Sequence, residues 1–460
     1  MRTYVLDAGN KKPLYEQLYH AVKEDILAGR IPGGEKLPSK RALAEHLNIS
    51  RVTVETAYEQ LLAEGYVISR PRSGYYAQSL PTLPKAIPEQ PSAVFDAAPS
   101  LPSASAGHFP FSVWARLMRG VLLDHRDQLL QPPPNLGLAE LRQAIARQLR
   151  RSRGFDPDPG CIVIGAGAEY LYNILIQLLG REHRYGLEDP GHRKIARVYE
   201  ANGVSVAAVS LDEQGIDMQA LRSSGAAVMH LSPGHQYPTG IVTPIGRRGE
   251  LMAWLAEQPD RWLIEDDYDS EFRFSGRPIP TMFSMDPVGR VIYMNTFSKT
   301  ITPALRISYM ILPKALMAQY HEKLGFYSCT VPSFEQLTLA KFLDDGYFDK
   351  HVSRMRRHYR VLRDEFLSQL RASSCADRIT VQGHEAGLHM LLRLQTPLSD
   401  EETQTRLAQA GVRAAALRQY EMCPAAEGQQ GIMVVSYSDL ELGQLPRLIQ
   451  VLEQITTQAS

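Results

Sequence analysis

The sequence has few cysteines and no net charge. Four cysteines occur in 460 residues, Cys161, Cys329, Cys375 and Cys423, and none of them form a CxxC pair. Such scattered cysteines argue against a zinc site and against a disulfide framework, and they favour a reducing compartment. The 50 basic residues balance 50 acidic ones, so a nucleic-acid partner must be inferred from local motifs rather than from overall charge.

Long apolar runs are also absent. The first residues, Met1 to Asp7, lack the apolar core of a signal peptide, and no apolar run is as long as a membrane span. We therefore expect a cytoplasmic protein without a membrane partner. The composition, 44% hydrophobic and 22% charged, is ordinary for a globular protein, and the length allows two or three domains.

Proline is concentrated in one segment, residues 79–92, which contains Pro81, Pro84, Pro88 and Pro91. Repeated prolines prevent helix formation, so this segment predicts an extended linker, with an irregular surface loop as the alternative. Different patterns on either side favour the linker. We expect a first domain at 1–78, the linker at 79–94 and a second domain at 95–460.

The first domain has the pattern of a winged helix-turn-helix. Apolar residues recur at helical spacing over 14–27. Ser39 is suited to cap a second helix over 40–47, and Ser50 a third over 51–64. A β-hairpin over 66–76 follows, with its turn at 71–74. Two short helices with a tight turn, followed by a hairpin, are typical of a DNA-binding winged helix.

Basic and hydroxyl side chains cluster at the starts of these helices and on the hairpin. Residues 1–80 contain 11 basic and 9 acidic residues, a small excess that would also suit an interaction domain with solvated charges. Their positions favour phosphate and base contacts by the third helix in the major groove. The residues expected at the DNA are Ser39, Lys40, Arg41, Ser50, Arg51, Thr53, Arg70, Arg72 and Gly74.

Residues 37–45, Leu-Pro-Ser-Lys-Arg-Ala-Leu-Ala-Glu, are followed at 50–54 by Ser-Arg-Val-Thr-Val. Together with Glu64-Gly65-Tyr66, they resemble the GntR family of bacterial transcription factors over nearly all of residues 12–76. The resemblance implies binding to double-stranded operator DNA.

Beyond residue 109, helical patterns alternate with short apolar runs, as in an α/β fold with a mainly parallel sheet. Helices then dominate from about residue 314, and strands return near the C-terminus, which predicts a smaller α+β lobe. The predicted strands are 161–164, 226–229, 262–264, 291–294, 307–311, 379–381, 388–392 and 432–435.

Two of these strands end in residues suited to pyridoxal 5'-phosphate (PLP). PLP needs a lysine for its imine, a carboxylate at the pyridine nitrogen and a donor to its phenolic oxygen. Lys299, Asp266 and Tyr268 meet these needs. A phosphate suits the amides at a strand-to-helix turn and an arginine. The residues expected at the phosphate are Gly167, Ala168, Thr296, Ser298 and Arg306. Taken singly, each element also fits a surface loop, an ordinary turn or, for the acidic run, a metal site.

The set resembles fold-type I aminotransferases from about residue 95 onward. Pro238-Thr239-Gly240 is similar to the family's Asn-Pro-Thr-Gly turn. With the GntR-like domain, and with the segments 235–240 and 265–273, the whole chain resembles the MocR/GabR family of regulators. The resemblance implies a PLP-binding sensor domain, a head-to-tail domain-swapped homodimer and an operator with repeated half-sites. It also allows contact with RNA polymerase.

Three positions depart from the aminotransferase pattern. Segment 432–437 has no arginine where aminotransferases hold the substrate carboxylate. His192 stands where the family has an aromatic residue near the cofactor ring, and Tyr237 stands where it has asparagine. These departures count against ordinary transamination of an α-amino acid and leave, at most, a half-reaction.

Three functions remain open. In the first, PLP held on Lys299 senses PLP itself or an amino compound and controls genes of PLP or amine metabolism. In the second, a working aminotransferase is fused to a DNA-binding domain. In the third, the aminotransferase-like domain is only a dimerisation scaffold. The presence of the residues suited to PLP argues against this hypothesis: Lys299, Asp266, Tyr268 and Arg306.

Overall fold

The structure is a computed structural model, and it describes residues 2–7, 9, 12–79, 108–274, 279–423, 430–436 and 440–457. The chain divides into two compact units, Met1–Pro99 and Ser100–Ser460. Apart from Ser79, the predicted linker lies outside the described residues. No helix in these ranges is long and apolar enough to cross a membrane.

The first unit is a winged helix, as predicted. Its core is formed by apolar residues of all three helices and the hairpin, including Leu18, Leu43, Val54, Leu61 and Val67, each at most 1% exposed. The hairpin strands are antiparallel. The elements are α1 (Leu14–Leu27), α2 (Lys40–Leu47), α3 (Arg51–Ala63), β1 (Val67–Arg70) and β2 (Gly74–Ala77).

Serine caps fix the starts of two of these helices. Ser39 Oγ accepts a hydrogen bond from the Ala42 amide at 3.2 Å, and Ser50 Oγ accepts one from the Thr53 amide at 3.1 Å. Each cap satisfies an amide that the first helical turn leaves without a partner. The two serines therefore mark where α2 and α3 begin.

The second unit contains a large lobe built on a mainly parallel sheet. Its strands are β3 (Ile162–Gly165), β4 (Arg184–Asp189), β5 (Ser205–Asp212), β6 (Gly215–Ile216), β7 (Val228–Leu231), β8 (Trp262–Asp266), β9 (Val291–Thr296) and β10 (Ser308–Ile311). Its helices are α4 (Phe111–Asp124), α5 (Arg126–Leu129), α6 (Ala139–Arg153), α7 (Ala168–Leu179), α8 (Arg193–Ala201), α9 (Met218–Ser223), α10 (Ile245–Glu257), α11 (Met282–Met285), α12 (Phe297–Thr300), α13 (Lys314–Leu324) and α14 (Ser333–Asp344).

The strand order of this sheet is β3-β10-β9-β8-β7-β4-β5-β6. The neighbours from β9 to β5 run parallel, whereas β10 is antiparallel to both β3 and β9. Strands β3, β7 and β10 are buried along their whole length because helices cover both faces of the sheet. The carboxyl ends of β4, β7, β8 and β9 therefore meet at one edge.

A smaller lobe follows, also as predicted. Four antiparallel strands in the order β11-β12-β14-β13 pack against α15 and α17. Its elements are α15 (Tyr347–Ala372), β11 (Ile379–Gln382), β12 (His389–Leu394), α16 (Asp400–Gln409), β13 (Ala414–Ala416), β14 (Ile432–Ser436) and α17 (Leu445–Thr457).

Several predicted boundaries differ from those of the structure. The strand expected at 226–229 lies at Val228–Leu231, since the Ala226 amide donates to Ser224 Oγ in the preceding turn. The strand expected at 161–164 begins one residue later, because Cys161 closes a 3₁₀ turn. Strands β4, β5, β6 and β13 were not predicted.

Candidate functional site

A cleft of about 330 Å³ lies at the edge where the carboxyl ends of the parallel strands meet. In open α/β sheets, ligands bind at this edge. The lining includes nine of the ten residues predicted at the cofactor: Ala168, His192, Tyr237, Asp266, Tyr268, Thr296, Ser298, Lys299 and Arg306. The tenth, Gly167, directly precedes helix α7.

Lys299 stands on the short helix α12, immediately after β9. Its backbone position is fixed by Thr296, whose Oγ1 accepts hydrogen bonds from the Ser298 amide at 3.1 Å and from Ser308 Oγ at 2.8 Å. The Ser298 hydroxyl is buried and has no hydrogen-bond partner within the described ranges. The lysine and an unsatisfied hydroxyl thus lie together in the cleft.

Asp266 ends strand β8 and is held by groups that the sequence did not indicate. The Tyr172 hydroxyl donates to Asp266 Oδ2 at 3.0 Å, and His230 Nε2 lies 3.5 Å from the same oxygen. His230 Nδ1 in turn lies 2.8 Å from the Tyr199 hydroxyl. Burial raises the pKa of both tyrosines far above its usual value, so they remain protonated donors. Because they come from α7, α8 and β7, no local spacing could have identified them.

Tyr268 follows Asp266 in the loop after β8. Its ring contacts that of Tyr237 edge to face, with the centroids 6.2 Å apart. The Tyr237 ring also lies 5.4 Å from the imidazole of His192, and its hydroxyl donates to that of Tyr420 at 3.0 Å. Tyr268, Tyr237 and His192 line the cleft, and Tyr420 contacts this group through Tyr237. Tyr420 was not predicted.

Arg306 lies at the other end of the cleft, beside the start of α7. Its Nη2 donates to Glu169 Oε2 at 2.5 Å, and Lys194 forms a second ion pair with Glu169. Although burial opposes ionisation of Glu169, hydrogen bonds from Lys194 and Arg306 lower its pKa to about 2. Gly167 has a φ of 94°, which favours glycine, and a Cβ there would stand 2.2 Å from Arg306 Nη2, so any other residue would displace the guanidinium.

Glu188 is a further unpredicted acid in the cleft lining. Its carboxylate accepts a hydrogen bond from the Ser232 amide at 3.1 Å. Burial raises the pKa of Glu188 to about 8, so it is mostly protonated at neutral pH. A protonated Glu188 does not balance a positive charge in the cleft.

The winged helix presents an exposed face at the start of α3. Arg51 is exposed and forms no hydrogen bond or ion pair within the described part of the chain. Thr53 is half-buried and lies 2.8 Å, oxygen to oxygen, from the Ser50 hydroxyl. The neighbouring Val52 is 69% exposed, unusual for an apolar residue, and was not predicted.

Other predicted DNA residues already have partners within the domain. Lys40 Nζ lies 2.6 Å from Glu55 of α3, and Arg41 lies 2.8 Å from Glu45 on its own helix. On the hairpin, the Arg70 guanidinium lies 4.5 Å from the Tyr76 ring centroid. Arg72 is exposed in the turn, and Gly74 begins β2. Lys40 therefore helps to hold α2 against α3, whereas Arg51 and Arg72 are directed to solvent.

Comparison with known proteins identifies both units. Residues 14–76 match the family of bacterial regulatory proteins, gntR family. The larger unit resembles an archaeal alanine:glyoxylate aminotransferase, with a TM-score of 0.68 and 20% identity over 77% of this chain and 89% of that one. This similarity confirms the predicted aminotransferase-like fold.

Relatives span nearly the whole chain. An uncharacterized HTH-type transcriptional regulator of Bacillus subtilis, YdeL, is 38% identical over 94% of this chain and 95% of its own length. The probable rhizopine catabolism regulatory protein MocR of Rhizobium meliloti is 32% identical, covering 92% and 90%. The pyridoxine biosynthesis transcriptional regulator PdxR of Corynebacterium glutamicum is 31% identical, covering 88% of each. The chain therefore belongs to the MocR family of HTH-type transcriptional regulators, which joins a gntR-type domain to an aminotransferase-like domain.

Proposed function

We propose that this regulator binds PLP through Lys299 and responds either to PLP itself or to an amino compound that reacts with it. The observation that carries the proposal is the cleft in which Lys299, Asp266 and Arg306 lie together. An amine, a carboxylate and a guanidinium there match the aldehyde, ring nitrogen and phosphate of PLP. The regulated genes would belong to PLP or amine metabolism; the name of the PdxR relative gives pyridoxine biosynthesis for that protein.

The chemistry of the donor set fits the cofactor. Arg306 and the amides after Gly167 would hold the phosphate, and the buried Ser298 hydroxyl, which has no other partner among the described residues, would donate to it. Asp266 would keep the ring nitrogen protonated, while Tyr268 would donate to the phenolic oxygen. Thr296 supports the Ser298 turn, and His192 and Tyr237 flank the ring site.

The effector is better explained as PLP, or as an amine that lacks an α-carboxylate, than as an ordinary amino acid. Strand β14, Ile432–Ser436, contains no arginine for a carboxylate. Arg418 of this lobe pairs with the buried Asp400 at 3.2 Å and is not among the residues that line the cleft. The alternative, a functional aminotransferase, would require a different cationic side chain to bind the carboxylate of each substrate.

For the DNA-binding domain, we propose that α3 contacts the bases of the operator through Arg51 and Thr53. Arg72, in the turn of the hairpin, would contact the DNA phosphate backbone. The remaining predicted residues, Ser39, Lys40, Arg41, Ser50, Arg70 and Gly74, would shape and orient this face. A domain-swapped homodimer would bind repeated half-sites. The domain limits proposed for this arrangement are 1–78, 79–94 and 95–460, and contact with RNA polymerase is part of the same proposal.

Replacement of the lysine tests the proposal. Lys299→Ala should abolish the absorbance band of lysine-linked PLP, because the other lysine in the described lining of the cleft, Lys194, is paired with Glu169 beside Arg306. The same variant should keep its DNA affinity and lose the PLP-dependent change in promoter activity. The measurements are an absorbance titration with PLP and a reporter assay.

Lys314→Ala, which changes a lysine at the start of α13, is the matched control and should behave as the unaltered protein. Retention of the band by Lys299→Ala, or an unchanged promoter response, would refute the mechanism. Sustained multiple turnover of an amino donor and a keto acceptor would instead establish the aminotransferase alternative.

A further inference from the structure

A buried histidine–aspartate pair lies behind Tyr268, and none of the expected cofactor contacts uses it. His235 is 5% exposed and Asp269 is 2% exposed. His235 Nδ1 lies 2.9 Å from Asp269 Oδ2 and 3.3 Å from the Tyr268 hydroxyl oxygen. The two contacts share one ring nitrogen, so the protonation of that nitrogen decides what Tyr268 can do.

The carboxylate determines which tautomer is favoured. An ionised Asp269 can only accept hydrogen bonds, and an unprotonated Nδ1 would place two acceptors against each other in a buried site. His235 Nδ1 therefore carries the proton and donates to Asp269. The longer contact, to Tyr268, is then made by the same N–H group, and Tyr268 cannot donate its own proton back to that nitrogen.

Packing around His235 holds the ring in this orientation. A Cβ on Gly387 would stand 1.9 Å from His235 Cε1, so the backbone of that loop lies directly against the imidazole. On another side, the ring of His389 lies 4.6 Å from that of His235. Burial, followed by the proximity of His235, lowers the pKa of His389 well below its usual value, so this neighbour is uncharged.

The surroundings of Tyr268 keep its own proton in place. Burial, followed by the negative charge of Asp269, raises the pKa of Tyr268 far above that of a free tyrosine. Tyr268 is thus a neutral phenol that lines the cleft. Its hydroxyl proton is free to turn towards the cleft.

We infer that Asp269 and His235 are positioning residues, which hold Tyr268 so that its hydroxyl donates to an anionic oxygen in the cleft. Under the proposed function, on which this inference rests, that oxygen is the phenolic oxygen of PLP. Donation by His235 to the Tyr268 oxygen also strengthens the tyrosine as a donor, because hydrogen bonds in a chain polarise one another.

The test uses the pH dependence of the absorbance of lysine-linked PLP in the full-length protein. Donation from Tyr268 stabilises the more negative, deprotonated form of the bound cofactor. His235→Phe removes the N–H group, so the pH midpoint of this absorbance change should rise by about 0.5 to 1 pH unit. His235→Asn keeps a donor near the Nδ1 position and should restore most of the original midpoint.

A double-mutant cycle separates this role from a structural one. In a Tyr268→Phe background, His235→Phe should cause no further shift of the midpoint, since its effect acts through the tyrosine hydroxyl. His358→Phe, at a half-buried histidine outside the cleft lining, is the control and should leave the midpoint unchanged. A shift that persists undiminished without the Tyr268 hydroxyl would overturn the inference.

A second readout does not depend on the cofactor. Nitrogen NMR of PLP-free protein with ¹⁵N-labelled histidine should show His235 protonated at Nδ1, with the signal assigned by its loss in His235→Asn. Protonation at Nε2 alone would contradict the inference. So would one equivalent of divalent metal in the purified protein, bound by the ligand atoms of His235, Asp269 and His389, which lie within 4.8 Å of one another.

These results can be distinguished from a failure of the proposed function. If the unaltered protein forms no lysine-linked PLP band, the cofactor proposal is wrong, and the NMR tautomer still tests the His235–Asp269 pair. If the band forms normally but His235→Phe leaves its midpoint unchanged, the positioning role is wrong and the cofactor proposal stands.

Discussion

At the scale of single residues, Arg306 already has an anionic partner in the cleft. Glu169 binds both Arg306 and Lys194, and its pKa of about 2 keeps it ionised at any pH at which the protein would be studied. A phosphate in the same cradle would meet the negative charge of this carboxylate. Glu169 thus sets a limit on how tightly a phosphorylated ligand is held.

Glu169→Gln should therefore increase the affinity for PLP. The substitution removes a competing anion while keeping the side-chain length, and we expect the dissociation constant to fall roughly two- to tenfold, since Arg306 is half-exposed and the pair is partly screened. Absorbance titration with PLP measures the change. Glu182→Gln, a replacement at an exposed carboxylate after the end of α7, serves as the control. An unchanged or weaker affinity for PLP would show that Glu169 instead positions Arg306 for the phosphate.

Residue types and their order were sufficient to predict most of the cleft, because Lys299, Asp266 and Tyr268 follow strand ends that are visible in the sequence. The partners of Asp266 were not predictable in this way. Tyr172 lies within the apolar sequence of helix α7, and His230 lies within that of strand β7. Only the packing of α7 against the sheet brings these two side chains to the carboxylate of Asp266. Likewise, Lys40, which the sequence predicts at the DNA, has a partner that the sequence did not indicate, Glu55 of α3.

At the scale of elements, the sequence was most informative where a cap or an uninterrupted apolar run marked the ends. The ranges of α1 and α2 were predicted exactly as found, because prolines, glycines and a serine cap delimit them. Strand β4 was missed because Gly186 and charged residues at both ends interrupt its apolar pattern. Strand β5 was not predicted because its small alanines and polar serines interrupt the run of large apolar residues that is typical of a buried strand.

The first turn of helix α3 is exposed, and its Arg51 allows the proposed contact with operator DNA to be tested directly. Because Arg51 is exposed and forms no hydrogen bond or ion pair among the described residues, Arg51→Ala should not disturb the domain. It should reduce operator affinity by about 1 to 3 kcal/mol if the side chain reads a base. Electrophoretic mobility shift or fluorescence anisotropy would measure this loss, and PLP absorbance should be unaffected.

The matched control for that experiment is Arg150→Ala, which removes an exposed arginine of the second unit; its ion pair among the described residues is with Asp156 at 3.5 Å. It should bind the operator as the unaltered protein does. An equal loss of affinity in both variants would mean that the effect reflects net charge rather than a contact at α3.

At the scale of the whole molecule, strand order was beyond the reach of sequence patterns. The apolar run of β10 resembles those of β8 and β9, yet it runs antiparallel between β3 and β9, and only long-range packing decides this position. What the sequence did predict is the division into a winged helix and an α/β domain with a second lobe. These parts have separate hydrophobic cores, one formed by residues of the first 77 positions and others formed by residues after 108.

Because the two units have separate hydrophobic cores, we expect them to unfold in separate thermal transitions. A ligand stabilises the part of a protein that binds it, by an amount that grows with ligand concentration. PLP at about one hundred times its dissociation constant should therefore stabilise the second unit by about 2.7 kcal/mol and leave the winged helix unchanged. Differential scanning calorimetry should show two transitions, of which PLP raises only the larger. In Lys299→Ala the shift should be much reduced, because only noncovalent contacts remain. A single transition that PLP raises as a whole would contradict this prediction, because the two units would then unfold as one and the cofactor would stabilise the DNA-binding domain as well.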